Sequence, residues 1–221
     1  MKDEEPPKLI CLIGPDGVGK TTQAKLLIEK LREMGYEYEY RWMRFHHFVS
    51  LPVLALARLM GLTEVQTLPD GRKIGYHHFY RSRLISTLYP ITLYIDTLLA
   101  MILRIYLPMK LLKKRIVCDR FVYDTLVDLA VDLDKPEIIT SKTAKRFLRL
   151  IPKGARTILL WAPYEAINQR REDLKFDAIL ERRIRIYDEL RREFPQIIKV
   201  DALLDVDIIH QQILKLTVGL Q

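Results

Sequence analysis

Residues 14–22 read GPDGVGKTT, and the fold follows from how they are flanked. The stretch fits the phosphate-binding pattern G-x-x-x-x-G-K-[ST], with Gly14, Gly19, Lys20 and Thr21 at the fixed positions. Before it, residues 8–13 (KLICLI) form an apolar run of strand type. After it, Ala24, Leu27, Ile28 and Leu31 share one helical face. The loop therefore joins a strand to a helix N-terminus. Glycines let such a backbone curl around an anion, and the loop N–H groups and the positive helix end point at it. Gly14, Pro15, Asp16, Gly17, Val18, Gly19, Lys20, Thr21 and Thr22 are the expected ATP-binding residues. Lys20 is expected to reach the donor phosphates, and Thr21 to ligate Mg2+.

Working outward, strand-like runs recur at 37–44, 115–119, 155–162 and 196–201, with helical patterns between them. Alternating strands and helices imply an α/β, three-layer P-loop NTPase fold: a five-stranded parallel sheet flanked by helices. Ligands of such sheets bind beyond the carboxyl ends of the strands. A length of 221 residues suits one domain, 1–221. Within it, 1–7 reads as a disordered lead-in without the apolar core of a signal peptide. Residues 50–112 read as a helical insertion on the acceptor side, covering the substrate or forming a dimer face.

Hydrophobic residues at 49% and charged residues at 29% place the chain among soluble globular proteins. The longest apolar stretch, 84–109, is interrupted by Asp96, Arg104, Pro90 and Pro108, so no transmembrane segment is expected. Cys11 and Cys118 lie in apolar runs and read as buried reduced thiols of a cytoplasmic protein. Residues 41–118 hold twelve Lys or Arg against three acids, a net +9 within a total of +8. That imbalance suits an anionic second substrate, or scattered surface cations. With no RNA-binding signature, no nucleic-acid partner is expected.

Residues 115–121 read RIVCDRF. Asp119 ends an apolar strand, the place of an acid that holds the magnesium shell. Arg120 follows it into the cleft. The chain here resembles the thymidylate kinase family. Four pieces carry the resemblance: the loop with Asp16 in it, the triplet Asp119-Arg120-Phe121, the segment NQRRED at 168–173, and a charged helix with Tyr187 leading to FPQIIKVDA at 194–202.

The resemblance implies ATP-dependent phosphoryl transfer to a nucleoside monophosphate, most simply dTMP to dTDP, by a cytoplasmic homodimer using Mg2+. It implies catalytic roles for Lys20, Arg120, Arg170 and Arg171, and Mg2+ ligation through Thr21 and Asp119. Arg170 and Arg171 fall in a lid at about 164–178. Position 17 is glycine rather than arginine. Family members lacking an arginine there take the transition-state arginine from the lid. Asp16, Arg44, Arg81, Arg120 and Asp124 are the acceptor-binding candidates. Arg182, Arg183, Arg185, Arg191 and Arg192 belong to an exposed, salt-bridged helix with mixed charges.

The acceptor helix departs from the family. Asp124 or Thr125 replaces a serine, and Asp128 and Leu129 replace a tyrosine-glutamine pair near the base. Leu129 cannot hydrogen-bond a base edge. Asp132 reads as part of a solvated acidic stripe. Trp42, Phe45, Phe48 and Phe121 are candidates for stacking on a base, or for core packing. Adjacent histidines (His46-His47 and His77-His78) make poor metal ligands, because neighbours in a strand face opposite ways. Two further readings remain open: a P-loop kinase for another anionic acceptor or nucleoside, and a non-catalytic ATP-dependent switch.

Overall fold

The structure is a computed structural model describing residues 5–44, 46–67, 73–171, 174, 177 and 179–219. Five parallel strands form the main sheet: β1 (Leu9–Ile13), β2 (Tyr38–Trp42), and, after a hairpin of β3 (Thr63–Thr67) and β4 (Lys73–His77), β5 (Arg115–Asp119), β6 (Arg156–Trp161) and β7 (Ile198–Asp201). Their order is β2-β5-β1-β6-β7. All five residues of β1 are buried, as expected for a central parallel strand covered on both faces.

Alternate residues of the strands feed two cores. Leu9, Cys11, Ile13, Ile116 and Cys118 pack towards α3 (Arg83–Met101), α5 (Val122–Asp132) and α6 (Lys142–Leu148). Ile10, Leu12, Val117, Ile158 and Leu160 pack towards α1 (Lys20–Glu33) and α9 (Val206–Val218). The three-layer α/β reading holds. Cys11 and Cys118 are in register on neighbouring strands, both buried and both free thiols.

The insertion at 50–112 is more than helical. After α2 (Leu51–Leu59) comes the antiparallel hairpin of β3 and β4; its turn, with Pro69, Asp70 and Gly71, lies outside the described residues. Then α3, a π-helical turn at Ile102–Tyr106 and α4 (Leu107–Leu111) run as one helix of 29 residues, Arg83–Leu111.

Pro90 and Pro108 do not break this helix, contrary to the sequence reading. The π turn sits just before Pro108, where the ring would strike a carbonyl four residues back in a regular helix. By length and composition alone this helix is able to cross a membrane. One face is packed inside the protein, through Ile85, Tyr89, Leu93 and Met101. Asp96 on that face accepts from the backbone N–H groups of Val49 (2.6 Å) and Ser50 (2.9 Å) at the start of α2. The other face, with Leu84, Leu88, Ile91, Ile95 and Leu103, is exposed.

Residues 1–4 of the lead-in lie outside the described residues, and 5–7 make contacts with the sheet. Arg115 pairs with Glu5 and donates to the Pro6 carbonyl (2.7 Å), and the Tyr38 hydroxyl donates to that of Pro7 (2.6 Å). The remaining helices at this end of the sheet are α7 (Tyr164–Arg170) and α8 (Leu180–Glu193).

Candidate active site

The phosphate loop leaves β1 at the centre of the sheet. Gly14 has φ 138°, and a Cβ there would lie 2.2 Å from the Leu160 carbonyl oxygen, so β6 admits only glycine. α1 starts at Lys20 with no side-chain cap, leaving its first N–H groups to an incoming anion. Lys20 is buried, with its ammonium donating to the carbonyls of Gly14 (2.7 Å) and Pro15 (2.5 Å). Burial lowers its pKa to about 8, against the pull of Asp124 and Asp119.

Thr21 donates a short hydrogen bond to Asp119, and the Tyr40 hydroxyl donates to the same carboxylate oxygen at 2.9 Å. Burial, then this contact, pushes the Tyr40 phenol up to about 12. Thr21 and Asp119 thus offer converging hard oxygens, the donor chemistry that suits Mg2+. Among the described residues no group of three or more His, Cys, Asp or Glu gathers as a metal site.

Beside the loop stands a chain of ion pairs. Arg120, at φ 69°, pairs with Asp16 and lies 3.5 Å from Asp124. Asp16 also pairs with Arg44 (3.1 Å). Arg44 grips Asp128 with two donors, Nε and Nη2, both at 2.9 Å. Arg183 lies 3.4 Å from Asp128 and 3.2 Å from Asp177. Burial alone would raise the Asp128 pKa, but Arg44 and Arg183 hold it below the usual carboxylate value.

Asp124 is a brace. It accepts from the backbone N–H groups of Phe121 (2.7 Å) and Gly14 (3.3 Å) and from the Tyr187 hydroxyl (2.6 Å). It caps α5 and ties the phosphate loop to α8, and burial raises its pKa despite Arg120 and Lys20.

Two cavities open above the sheet. One, of about 510 Å³, is lined by Gly19, Lys20, Thr21, Thr22, Asp119, Arg120 and Arg170. The other, of about 620 Å³, runs between the β3-β4 hairpin, α3 and α5, past Thr125, Asp128, Tyr89 and Asp132. Asp16, Gly17, Arg44 and Arg171 line both, so the two adjoin.

The structure thus brings together Asp16, Gly17, Gly19, Lys20, Thr21, Thr22, Arg44, Asp119, Arg120, Arg170 and Arg171. Other expected residues fall elsewhere. Arg81 lies against Glu64 (3.9 Å) and Tyr80, half exposed and away from both cavities. Asp124 is sealed at 1% exposure, so it meets an arginine and no substrate hydroxyl. Val18 is buried in the core. Of the four stacking candidates, Trp42 lines the phosphate cavity, Phe121 is core, Phe48 is exposed, and Phe45 lies outside the described residues. Glu172 and Asp173 of the lid also lie outside them.

Two corrections concern side chains assigned to solvent. Arg183 is folded inward onto Asp128 and Asp177 and lines the larger cavity. Asp132 is buried and lines the same cavity, rather than a solvated stripe. Helical phase held the clue for Arg183, since residues 180, 183, 187 and 190 share a face on which Leu180, Tyr187 and Leu190 are buried. His46, His47 and His77 also reach this cavity; burial pulls His77 down to about 4.

The loop and the lid region touch. Gly17 has φ 87°, and a Cβ there would lie 2.7 Å from Leu174 and 2.9 Å from Ile167. Arg170 is held by the carbonyls of Ala202 (2.5 Å) and Leu203 (3.2 Å).

No protein-family model matches the chain. It is similar to two curated proteins, both described as probable thymidylate kinases. That of Pyrococcus horikoshii is 30% identical over 215 residues, covering 94% of each chain. That of Thermococcus kodakarensis is 30% identical over 216 residues, covering 94% of this chain and 95% of the relative.

Proposed function

The chain belongs to the thymidylate kinase family and is a nucleoside monophosphate kinase; from that premise we propose that it transfers the γ-phosphoryl group of ATP to dTMP, yielding dTDP and ADP. The observation that supports this reading is the meeting of the two cavities at Asp16, Gly17, Arg44 and Arg171. A donor phosphate on the loop and an acceptor phosphate at Arg44 and Arg120 would share that junction.

Each residue has a physical task. Lys20 exchanges the loop carbonyls for donor phosphate oxygens. Thr21 and Asp119 would hold Mg2+, which neutralises charge on the donor phosphates when bound. Arg120 and Arg44 fix the acceptor phosphate, with Asp16 keeping both guanidinium groups in place. Arg171 turns its charge to the transferring group. Leu174 and Ile167, seated against Gly17, keep water from the junction. The enzyme acts in the cytoplasm as a homodimer joined through the exposed face of α3.

A different acceptor is the second reading. Leu129 is fully buried and Asp128 is bound to two arginines, so neither stands free to read a base.

The test is ADP release from Mg-ATP against a panel of nucleoside monophosphates. Selective stimulation by dTMP is expected. Lys20→Ala is expected to abolish it while the circular dichroism stays native. A flat panel, or robust turnover by the variant, would overturn the assignment.

A further inference from the structure

Two polar side chains lining the larger cavity have no hydrogen bond or ion pair to another described residue. Asp132, on the last turn of α5, is 6% exposed, and Tyr89, on α3, is 4% exposed; both line the cavity. The other carboxylates lining it, Asp16, Asp128 and Asp177, each hold an arginine. Both polar ends are thus left to the cavity space, where the polar edge of a ligand can pair with them.

Their position says which part of the ligand. Arg44 and Arg120 mark the phosphate end. Asp132 lies one helical turn, about 5.4 Å, beyond Asp128, farther from those cations. Resting on the kinase reading above, we propose that Asp132, assisted by the Tyr89 hydroxyl, reads the base of the acceptor by pairing with a ring N–H and its adjacent carbonyl, the edge presented by thymine and uracil.

The charge state fits. Burial, then the neighbouring Asp128 carboxylate, pushes the Asp132 acid well above its ordinary value, and Arg183 and Arg44 offset this only in part. Tyr89 faces it from α3 and is itself pushed up by burial, and by Asp132 among its neighbours. In the protonated form that this upward shift favours, the carboxyl presents one O–H donor and one carbonyl acceptor, the same pair a side-chain amide presents. It can therefore give a hydrogen bond to the base carbonyl and take one from the ring N–H. Leu93 and Met101 give the cavity wall an apolar stretch against which a base ring can lie.

The probe is dTMP against its N3-methyl derivative, which lacks the ring N–H. The wild-type enzyme should prefer dTMP in kcat/KM by roughly tenfold or more. Asp132→Ala should raise KM for dTMP by roughly tenfold, leave KM for ATP unchanged, and bring the preference close to one. Asp132→Asn should keep the preference, since the amide retains one donor and one acceptor. Tyr89→Phe should raise KM for dTMP severalfold.

A wild type indifferent to N3 methylation, or a preference that survives in Asp132→Ala, would overturn the proposal. Should Asp132→Ala fail to fold, loss of the preference in Asp132→Asn, or an unchanged KM for dTMP in Tyr89→Phe, would do the same. Should the wild type phosphorylate no nucleoside monophosphate, the kinase reading fails by itself. Equilibrium binding of the two nucleotides to wild type and Asp132→Ala then decides the base contact by the same criterion.

Discussion

Arg170 and Arg171 are adjacent, yet the fold employs them differently. Arg170 is anchored to two backbone carbonyls of the segment after β7, while Arg171 lines both cavities at their junction. Arg171→Ala should therefore lower kcat by roughly 10²–10³ with KM for ATP little changed, as for loss of one donor to a developing charge. Arg170→Ala should cost far less in kcat. Steady-state kinetics on both variants settles the order, and equal losses would reject it.

Lys20 makes a second prediction at this scale. Its pKa in the folded protein is about 8, below the ordinary lysine value of 10.5. The unfolded chain thus binds more protons between those values, and stability contributed by Lys20 rises as pH rises through that window. Bound phosphates favour the ammonium form and raise the pKa again. ATP binding at about pH 8.5 should take up a fraction of a proton, and almost none near pH 6.5. Calorimetry in buffers of different ionisation enthalpy measures this, and zero uptake at the higher pH would reject it.

At the scale of elements, the loop and the lid region are packed too closely for a side chain at position 17. Gly17→Ala should push back Leu174 and Ile167, lowering kcat/KM by roughly tenfold or more and admitting water. Its mark is ADP formation without acceptor, higher than in the wild type. The strands and the phosphate loop were legible because their signals are local: a buried run, then glycines at fixed spacing, then a helical face. The β3-β4 hairpin was not, because most of β3 is exposed and its run (TEVQT) carries one apolar residue. Arg183 and Asp132 were misplaced for a related reason. Charge composition tells that a helix is polar, whereas burial depends on what covers its face, here a cavity wall assembled from distant segments.

At the scale of the molecule, part of the basic middle of the chain is compensated by folding. Arg44 finds Asp16 and Asp128, Arg41 and Lys114 share Glu39, Arg115 finds Glu5, and Arg81 approaches Glu64. The outer face of α3 is exposed among the described residues, and apolar side chains recur along it at 84, 88, 91, 95 and 99. Replacing Ile91 and Leu99 by Glu should convert a dimer to a monomer in sedimentation velocity. A wild type that sediments as a monomer would reject the homodimer.

The Asp124 brace joins Gly14 to a residue 110 positions away, and the phosphate loop also leans on Leu160. The first motif to leave the ribosome is therefore among the last to acquire its shape. A nascent chain carries residues 14–22 as an anion-binding loop without walls until β5 and β6 have been made. A chain stopped short of residue 160 therefore owns the whole motif and should hold ATP far more weakly than the full chain, which nucleotide binding to the truncated product would check.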